Sequence, residues 1–393
     1  MIEIDGQFTL LIKVLKDGAD SGVVLAPADF EDLILIEESG NQLPTFELNL
    51  RLISDEEIAH FHEGNVLHIQ IGNRNVKNDA SSETLLDAQF VISKMIVKRD
   101  GLQVRRMRIL GVYNALGYAT QKKMTATDAM CGSEALAEVA KRSNFEVDTN
   151  IEASTHKQIW IQPNITDKKF LGEIWRHTYV QDSFPVVGLT LNHKIRIIDP
   201  KKALSGEADW TVSSYVDASS NFLHCRRNYE WTSTSGFVNH WAGYGFDIPE
   251  MDRDRDSYEY NDQTDAIKPT FSNSDAFDRN KETQSRTLSQ HWYSDNCHDK
   301  YWHTKYENLT YLALSSTIMI KCQLLRHPVG ELHVLDTVNF LDNSGDTPSS
   351  VAGLYSGNYL IKKTIRTIST GIFDLYLELV RDSANFDAQG SRR

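Results

Sequence analysis

The chain has no long apolar run, no paired cysteines and a deficit of positive charge. None of its 393 residues lies in an apolar stretch near the roughly 20 residues that a membrane helix requires, so no membrane-spanning helix is expected. Its four cysteines, Cys131, Cys225, Cys297 and Cys322, are far apart and form no CxxC pair. That spacing gives neither a disulfide framework nor a zinc ribbon, and reduced structural thiols are expected. Lys and Arg number 41 against 54 Asp and Glu, a formal net charge of −13. A general nucleic-acid-binding surface is therefore disfavoured, because affinity for phosphate backbones comes mainly from Lys and Arg. The sequence also lacks a Walker loop, a dinucleotide glycine fingerprint after a strand, a nucleophile elbow and an HExxH pair, so nothing in it demands catalysis. The N-terminus places an acid before its first apolar stretch and alternates Phe8, Leu10, Ile12 and Val14. That is a strand pattern rather than a secretion signal, and it predicts a protein made in a cytoplasm and kept there at least initially.

What the chain does have is ordinary composition, with 40% hydrophobic and 24% charged residues, and a length that suits two to four domains at ~100–200 residues each. It also has an internal repeat. Residues 87–112 lie without a gap on residues 357–382: Phe90 and Val91 fall on Leu360 and Ile361, Met95 on Ile365, Gly101 on Gly371 and Leu102 on Ile372. Each copy follows a strand-like run, VLHIQIG from Val66 and LHVLDTVNF from Leu332. The pattern predicts two β-hairpins turning at glycine, one near each end of the chain, as duplication would leave them.

The segments between follow the period of their apolar residues. Phe46, Leu48, Leu50 and Leu52 alternate with polar neighbours, a strand with one wet face, and residues 1–120 read as a compact antiparallel barrel or sandwich, taken as a barrel. Residues 121–205 read as a small α/β domain. One helix follows Ser133, a possible N-cap, with Leu136, Val139 and Ala140 inside, and another follows Thr166 or Asp167, with Phe170, Leu171 and Ile174 inside. A hairpin turning at Asn192 and His193 comes next. Residues 206–240 and 308–385 form the expected second barrel, 241–307 a polar and aromatic insertion of loops with a helix from about Cys297 to Leu314, and 386–393 a loose tail. The fold class expected is α+β, with two similar antiparallel β-barrels around an inserted small α/β domain.

Four groups of side chains invite chemistry. His291, Cys297, His298 and His303 are good zinc-ligand types, but His298 and His303 are five apart, on different faces of a helix, and the spacing fits no zinc pattern. Asp252, Asp254 and Asp256 begin like a calcium loop, which then breaks at Ser257, where glycine belongs, and at Gln263, where a bidentate glutamate belongs. Trp231, Trp241, Tyr244, Tyr258, Trp292 and Trp302 could stack on sugars, yet no carboxylate stands out as acid or base, and aromatics more often fill cores and interfaces. Lys98, Arg99, Arg105, Arg106 and Arg108 form the one dense positive cluster, either a solvated strand face or a surface that meets an acidic partner. No catalytic, cofactor-binding or metal-binding residue is assigned, and no cofactor is expected.

The order of parts resembles a known family. A β-unit is followed by a domain containing EALAEVAKRSNFEV and KKFLGEIWRHTYVQDSFPVVGLTLNHKIRIID, then by a closing β-unit with SGNYLIKKTIRTISTGIFDLYLELVRD. This order is similar to the baseplate or tail hub proteins of contractile-tailed phages and to the hub portion of type VI secretion spike proteins. The resemblance implies a non-enzymatic homotrimer whose two barrels per subunit make a pseudo-sixfold ring. Such a ring would adapt a hexameric tail tube to a trimeric central spike and form part of the channel that DNA or a tape-measure protein passes. The implied partners are a separate spike protein, a tube or tube-initiator protein and other baseplate proteins, without stable membrane insertion. The implied location is the virion tail baseplate, assembled in the host cytoplasm. The acidic balance suits a channel wall that must not hold its cargo. The alternatives are a virion-associated cell-wall hydrolase and a sugar-binding distal tail module.

Overall fold

A computed structural model describes residues 2–4, 8–16, 19–25, 28–52, 60–73, 84–100, 104–181, 183–214, 223–226, 228–233, 247–252, 257–262, 318–326, 330–342 and 355–382, with Ile58, Thr304, Asn308 and Ser316. The chain begins with β1 (Ile2–Ile4), β2 (Phe8–Lys16), β3 (Ala19–Val24), β4 (Phe30–Glu38), β5 (Thr45–Leu52), β6 (Val66–Asn73), β7 (Thr84–Asp100) and β8 (Val104–Tyr113). Its middle holds α1 (Leu116–Thr120), β9 (Lys122–Ala126), α2 (Gly132–Arg142), β10 (Glu146–Thr149), β11 (Ile161–Thr166), α3 (Asp167–Arg176), β12 (Val186–Leu189), β13 (Lys194–Ile198) and α4 (Pro200–Ser205). There follow β14 (Trp210–Ser213), β15 (Leu223–Cys225), β16 (Glu230–Ser233), β17 (Asp247–Asp252), β18 (Ser257–Asp262), β19 (Ile318–Arg326), β20 (Thr337–Leu341), β21 (Gly357–Ser369) and β22 (Ile372–Arg381).

The first unit runs β2-β6-β7-β8-β5-β4, every pair antiparallel. Alternation sends Leu10, Ile12 and Val14 of β2, Leu67 and Ile69 of β6, Met107 and Ile109 of β8, Phe46 and Leu48 of β5 and Leu33 and Leu35 of β4 into one apolar cluster. In β4 the buried residues Phe30 and Leu33 are three apart, and a register shift between Phe30 and Asp32 is what returns both to the same face.

The second unit closes on itself. Strand β22 pairs with β21 and β19, β19 with β15, β15 with β14, β14 with β20 and β20 with β21. A closed six-stranded barrel results, in which β14 runs parallel to both neighbours. Val212, Ile320, Leu324, Val338, Phe340, Tyr359, Ile361 and Leu377 fill it. The expected α+β architecture of two similar β-units and an inserted α/β part is the one observed.

The repeat is real, with a register that differs from the ungapped alignment. In both hairpins the ladder shifts by one residue, between Ile92 and Lys94 in the first and between Ile361 and Lys363 in the second. Three consecutive residues are buried at each shift, Phe90, Val91 and Ile92 against Tyr359, Leu360 and Ile361, because a bulge interrupts the two-residue period. The turn ahead of each copy matches as well. Asn65 N donates to His62 O and Asp336 N to His333 O; Gly64 N donates to Ile92 O and Leu335 N to Ile361 O. Gly64 has φ +91 and Leu335 φ +68, so one left-handed step recurs. Asp100 pairs with Val104 across three residues, whereas Ser369 pairs with Ile372 across two. That unequal loop slides the second strands relative to the first. Gly371 turns with φ +81, while Gly101 lies outside the described residues.

Between the units, α2 packs on β10 and β13 of a three-stranded sheet ordered β10-β13-β12, and α3 packs on α2 and β11. Thr166 caps α3, accepting from Lys169 N at 3.2 Å. The cap of α2 is Cys131 rather than Ser133, since Glu134 reaches back to Cys131 N at 3.0 Å and the helix starts at Gly132. The fully buried Asp167 carboxylate accepts from Arg142 at 2.5 Å, Lys123 at 2.6 Å, Ser143 at 3.0 Å and Gln162 at 3.1 Å. Burial opposes its ionisation, but the hydrogen bonds from Lys123 and Gln162 and the charge of Arg142 prevail and hold its pKa below the ordinary value. The expected helix from Cys297 to Leu314 lies outside the described residues apart from Thr304 and Asn308, and Asn308 Nδ2 donates to the backbone oxygens of Trp175 and Arg176, which end α3, and of Thr178 just after it.

Candidate functional site

The two units are joined by a strand pair. The C-terminal half of β21 lies antiparallel to β4 from Lys363 opposite Glu38 to Ser369 opposite Asp32, so one sheet runs unbroken through both units. The N-terminal half of β21 pairs with β20, and β22 lies along its other edge. A single strand thus serves both units.

A buried charged cluster sits at this junction. Glu37 occupies the position after Leu33 and Leu35 where alternation would put another apolar residue, and it is fully buried. One of its oxygens accepts from Leu191 N at 2.6 Å and contacts His333 Nδ1 at 2.8 Å; the other accepts from Thr364 Oγ1 at 2.9 Å and Arg366 Nη1 at 3.1 Å. The opposite nitrogen of His333 faces Gly330 O at 2.8 Å, so both ring nitrogens lie against oxygen atoms. Arg366 also donates to Leu332 O. Burial alone would raise the Glu37 pKa; the charges of His333 and Arg366 outweigh it and hold the carboxyl well below the usual range. Gly330 is needed at the rim: with φ +82, an added Cβ would lie 2.0 Å from Leu85 O of β7.

The α/β part is tied to the same place. Gly40 N donates to Val187 O at 2.6 Å, and Gly188 lies so close to Val334 and Leu335 that a Cβ would sit 3.0–3.1 Å from them. Arg196 of β13 reaches Asp336 and the Val334 carbonyl. Glu37 is therefore where the first unit, the second unit and the α/β part meet. Chemically the cluster can hold and orient; among the described residues no group of three or more His, Cys, Asp or Glu could hold a metal ion.

The residues singled out from the sequence lie elsewhere. His291, Cys297, His298, His303, Asp254, Asp256, Trp241, Tyr244, Trp292 and Trp302 fall outside the described residues, while Asp252 ends β17 and Tyr258 lies in β18. Trp231 is half exposed on β16 and stacks on Tyr355 at 4.1 Å. In the basic cluster Lys98 lies opposite Arg106 and Arg99 opposite Arg105, while Arg108 donates to Glu47 at 2.5 Å. A polar cleft of about 590 Å³ between residues 150–156 and 179–181 carries Asp199 and Lys202, but Asp199 caps α4 and accepts from Ser183, and Lys202 pairs with Glu152 at 3.0 Å. Sequence reading missed Glu37, His333 and Arg366. The available signal was charge in phase with apolar residues, Glu37 after Leu35 and Arg366 before Ile368.

No protein-family model matches this chain, and no curated protein matches it. Solved structures do. The 43 kDa tail protein of prophage MuSo2 from Shewanella oneidensis superposes with a TM-score of 0.56 over 96% of this chain and 97% of its own, at 10% identity. A tail protein from Neisseria meningitidis MC58 superposes at 0.57 over 95% and 97%, at 11% identity. This chain has the phage tail-protein fold. The tail-protein fold accounts for the two β-units and the α/β part together, since each superposition covers nearly the whole of both chains. The resemblance first read from element order and short phrases is thus met at the level of fold.

Proposed function

We propose that this protein is a structural hub of a phage tail baseplate. Three copies form a ring of six β-units that adapts a sixfold tail tube to a threefold central spike and lines part of the channel for DNA or a tape-measure protein. Its partners in this reading are the spike, a tube or tube-initiator protein and other baseplate proteins, met after assembly in the host cytoplasm. The observation that carries the reading is the edge-to-edge joining of two copies of one β-unit in a single sheet. A ring with twice as many units as subunits needs such a join. The full-length likeness to two tail proteins supports it. The reading assigns no active site and no cofactor.

Size-exclusion chromatography with light scattering tests this. A species near three times 44.7 kDa, binding a trimeric spike protein and inert on peptidoglycan, is the expected result. A monomer that degrades peptidoglycan would replace the hub with a cell-wall hydrolase, and a monomer that binds glycans would replace it with a sugar-binding tail module.

A further inference from the structure

The internal junction has two counterparts without a partner strand among the described residues, the C-terminal half of β7 and strand β16. Matching the two ladders residue by residue places Lys94–Asp100 of β7 where Lys363–Ser369 of β21 stand, because both follow the same bulge. Strand β16 stands where β4 does: Trp231 pairs with Ile320 of β19 as Leu35 pairs with Phe46 of β5, and Ile320 and Phe46 lie opposite Leu379 and Gly111, the matching residues of β22 and β8. Among the described residues, 94–100 of β7 pair only with β8, and β16 pairs only with β19. At the internal junction Leu35 and Arg366 are opposite each other and sealed, 0% and 1% exposed. Their counterparts Trp231 and Val97 face the same way as core residues Ile320 and Met107, yet are 48% and 38% exposed, and no strand among the described residues lies beside them.

We propose that β7 of one copy pairs antiparallel with β16 of the next copy, in the register of the internal junction: Met95 opposite Ser233, Ile96 opposite Thr232, Val97 opposite Trp231 and Lys98 opposite Glu230. This deepens the ring reading and rests on it. The contact is head-to-tail, so it uses two different edges of one chain and closes only as a ring. Charge agrees with the register. Lys98 lies opposite Arg106 within its own hairpin, an unfavourable like-charge pair, and the register brings the exposed Glu230 carboxylate to its free side. The join between copies is apolar, Val97 on Trp231, where the join inside the chain is ionic.

Charge reversal tests the register in the full chain. Lys98→Glu and Glu230→Lys should each shift the trimer toward monomer in light scattering, and the double variant should restore the trimer. Val97→Asp should dissociate it while leaving the far-UV circular dichroism of the monomer unchanged. If the wild type is a trimer and neither the reversals nor Val97→Asp alter it, the register is wrong and the ring reading stands. A trimer weakened by both reversals and not restored by the double variant also overturns the pairing of Lys98 with Glu230. If the wild type stays monomeric at every concentration and with a spike protein added, the ring reading fails and the register fails with it.

Discussion

Inside the chain, the strand position opposite Leu35 is filled by Arg366, which is buried with Glu37, Thr364 and His333; at the matching position of the first unit stands Val97, in sight of solvent. His333 is buried against Glu37, while its counterpart His62 is exposed. Both sites follow the same turn, bulge and hairpin, so the backbone plan has been kept while the side chains have diverged. The internal join never has to form from separate molecules and can tolerate buried charges that demand exact partners. An edge that meets a second chain, as β7 does in the proposed ring, is better served by apolar surface and one exposed charge pair, since desolvating ions on association is costly.

The largest effect that would break this contrast is Glu37→Ala. It strands Arg366 in the interior and should cost about 3–5 kcal/mol, the penalty for an uncompensated buried charge, read as a lower urea midpoint with unchanged slope. Replacing the pair by apolar side chains, Glu37→Leu with Arg366→Met, should recover most of that loss, because buried ion pairs exchanged for well-packed apolar groups are often neutral. A double variant no more stable than Glu37→Ala would mean that the junction needs its charges.

Acid should act on the internal join in a defined direction. The folded-state pKa of Glu37 lies below its ordinary 4.5, so its contribution is complete above the unfolded value and is lost as pH falls toward the folded one. Wild-type stability should therefore fall between about pH 5 and pH 3, and Glu37→Gln should fall less steeply over that range; parallel curves would remove Glu37 as a source of the slope. Gly64→Ala should cost about 1 kcal/mol through the left-handed step alone, since nothing lies within 4 Å of the new Cβ. No change in thermal midpoint would mean that the turn relaxes, and that Leu335 bears no strain at the matching step. The smallest effect should come from Arg108→Ala, whose exposed pair with Glu47 should leave the midpoint within error.

Much of this architecture was legible because it is local. Alternation marked β5, capping residues marked α3, and the apolar pattern on either side of Gly101 and Gly371 exposed the repeat. The register was not legible: a one-residue bulge and a one-residue difference in loop length leave composition untouched while moving every cross-strand pair. The start of α2 was misplaced by two residues because a cysteine holds the cap position. The charged cluster was hidden for another reason. Glu37, Leu191, His333 and Arg366 come together only once β21 lies beside β4, and no spacing along the chain announces that.

That strand pair also sets a schedule. Thr364 is 327 residues beyond Glu37, so at ~5–20 residues per second the ribosome needs roughly 15–65 s after making β4 to deliver its partner. During that interval the β4 edge has no β21, and an unpaired strand edge invites pairing with other chains. Charged side chains are a common protection for such edges, and Glu31, Asp32, Glu37 and Glu38 supply four carboxylates along this one. Glu37, fully buried in the finished junction, begins as part of what keeps the nascent edge apart from its neighbours.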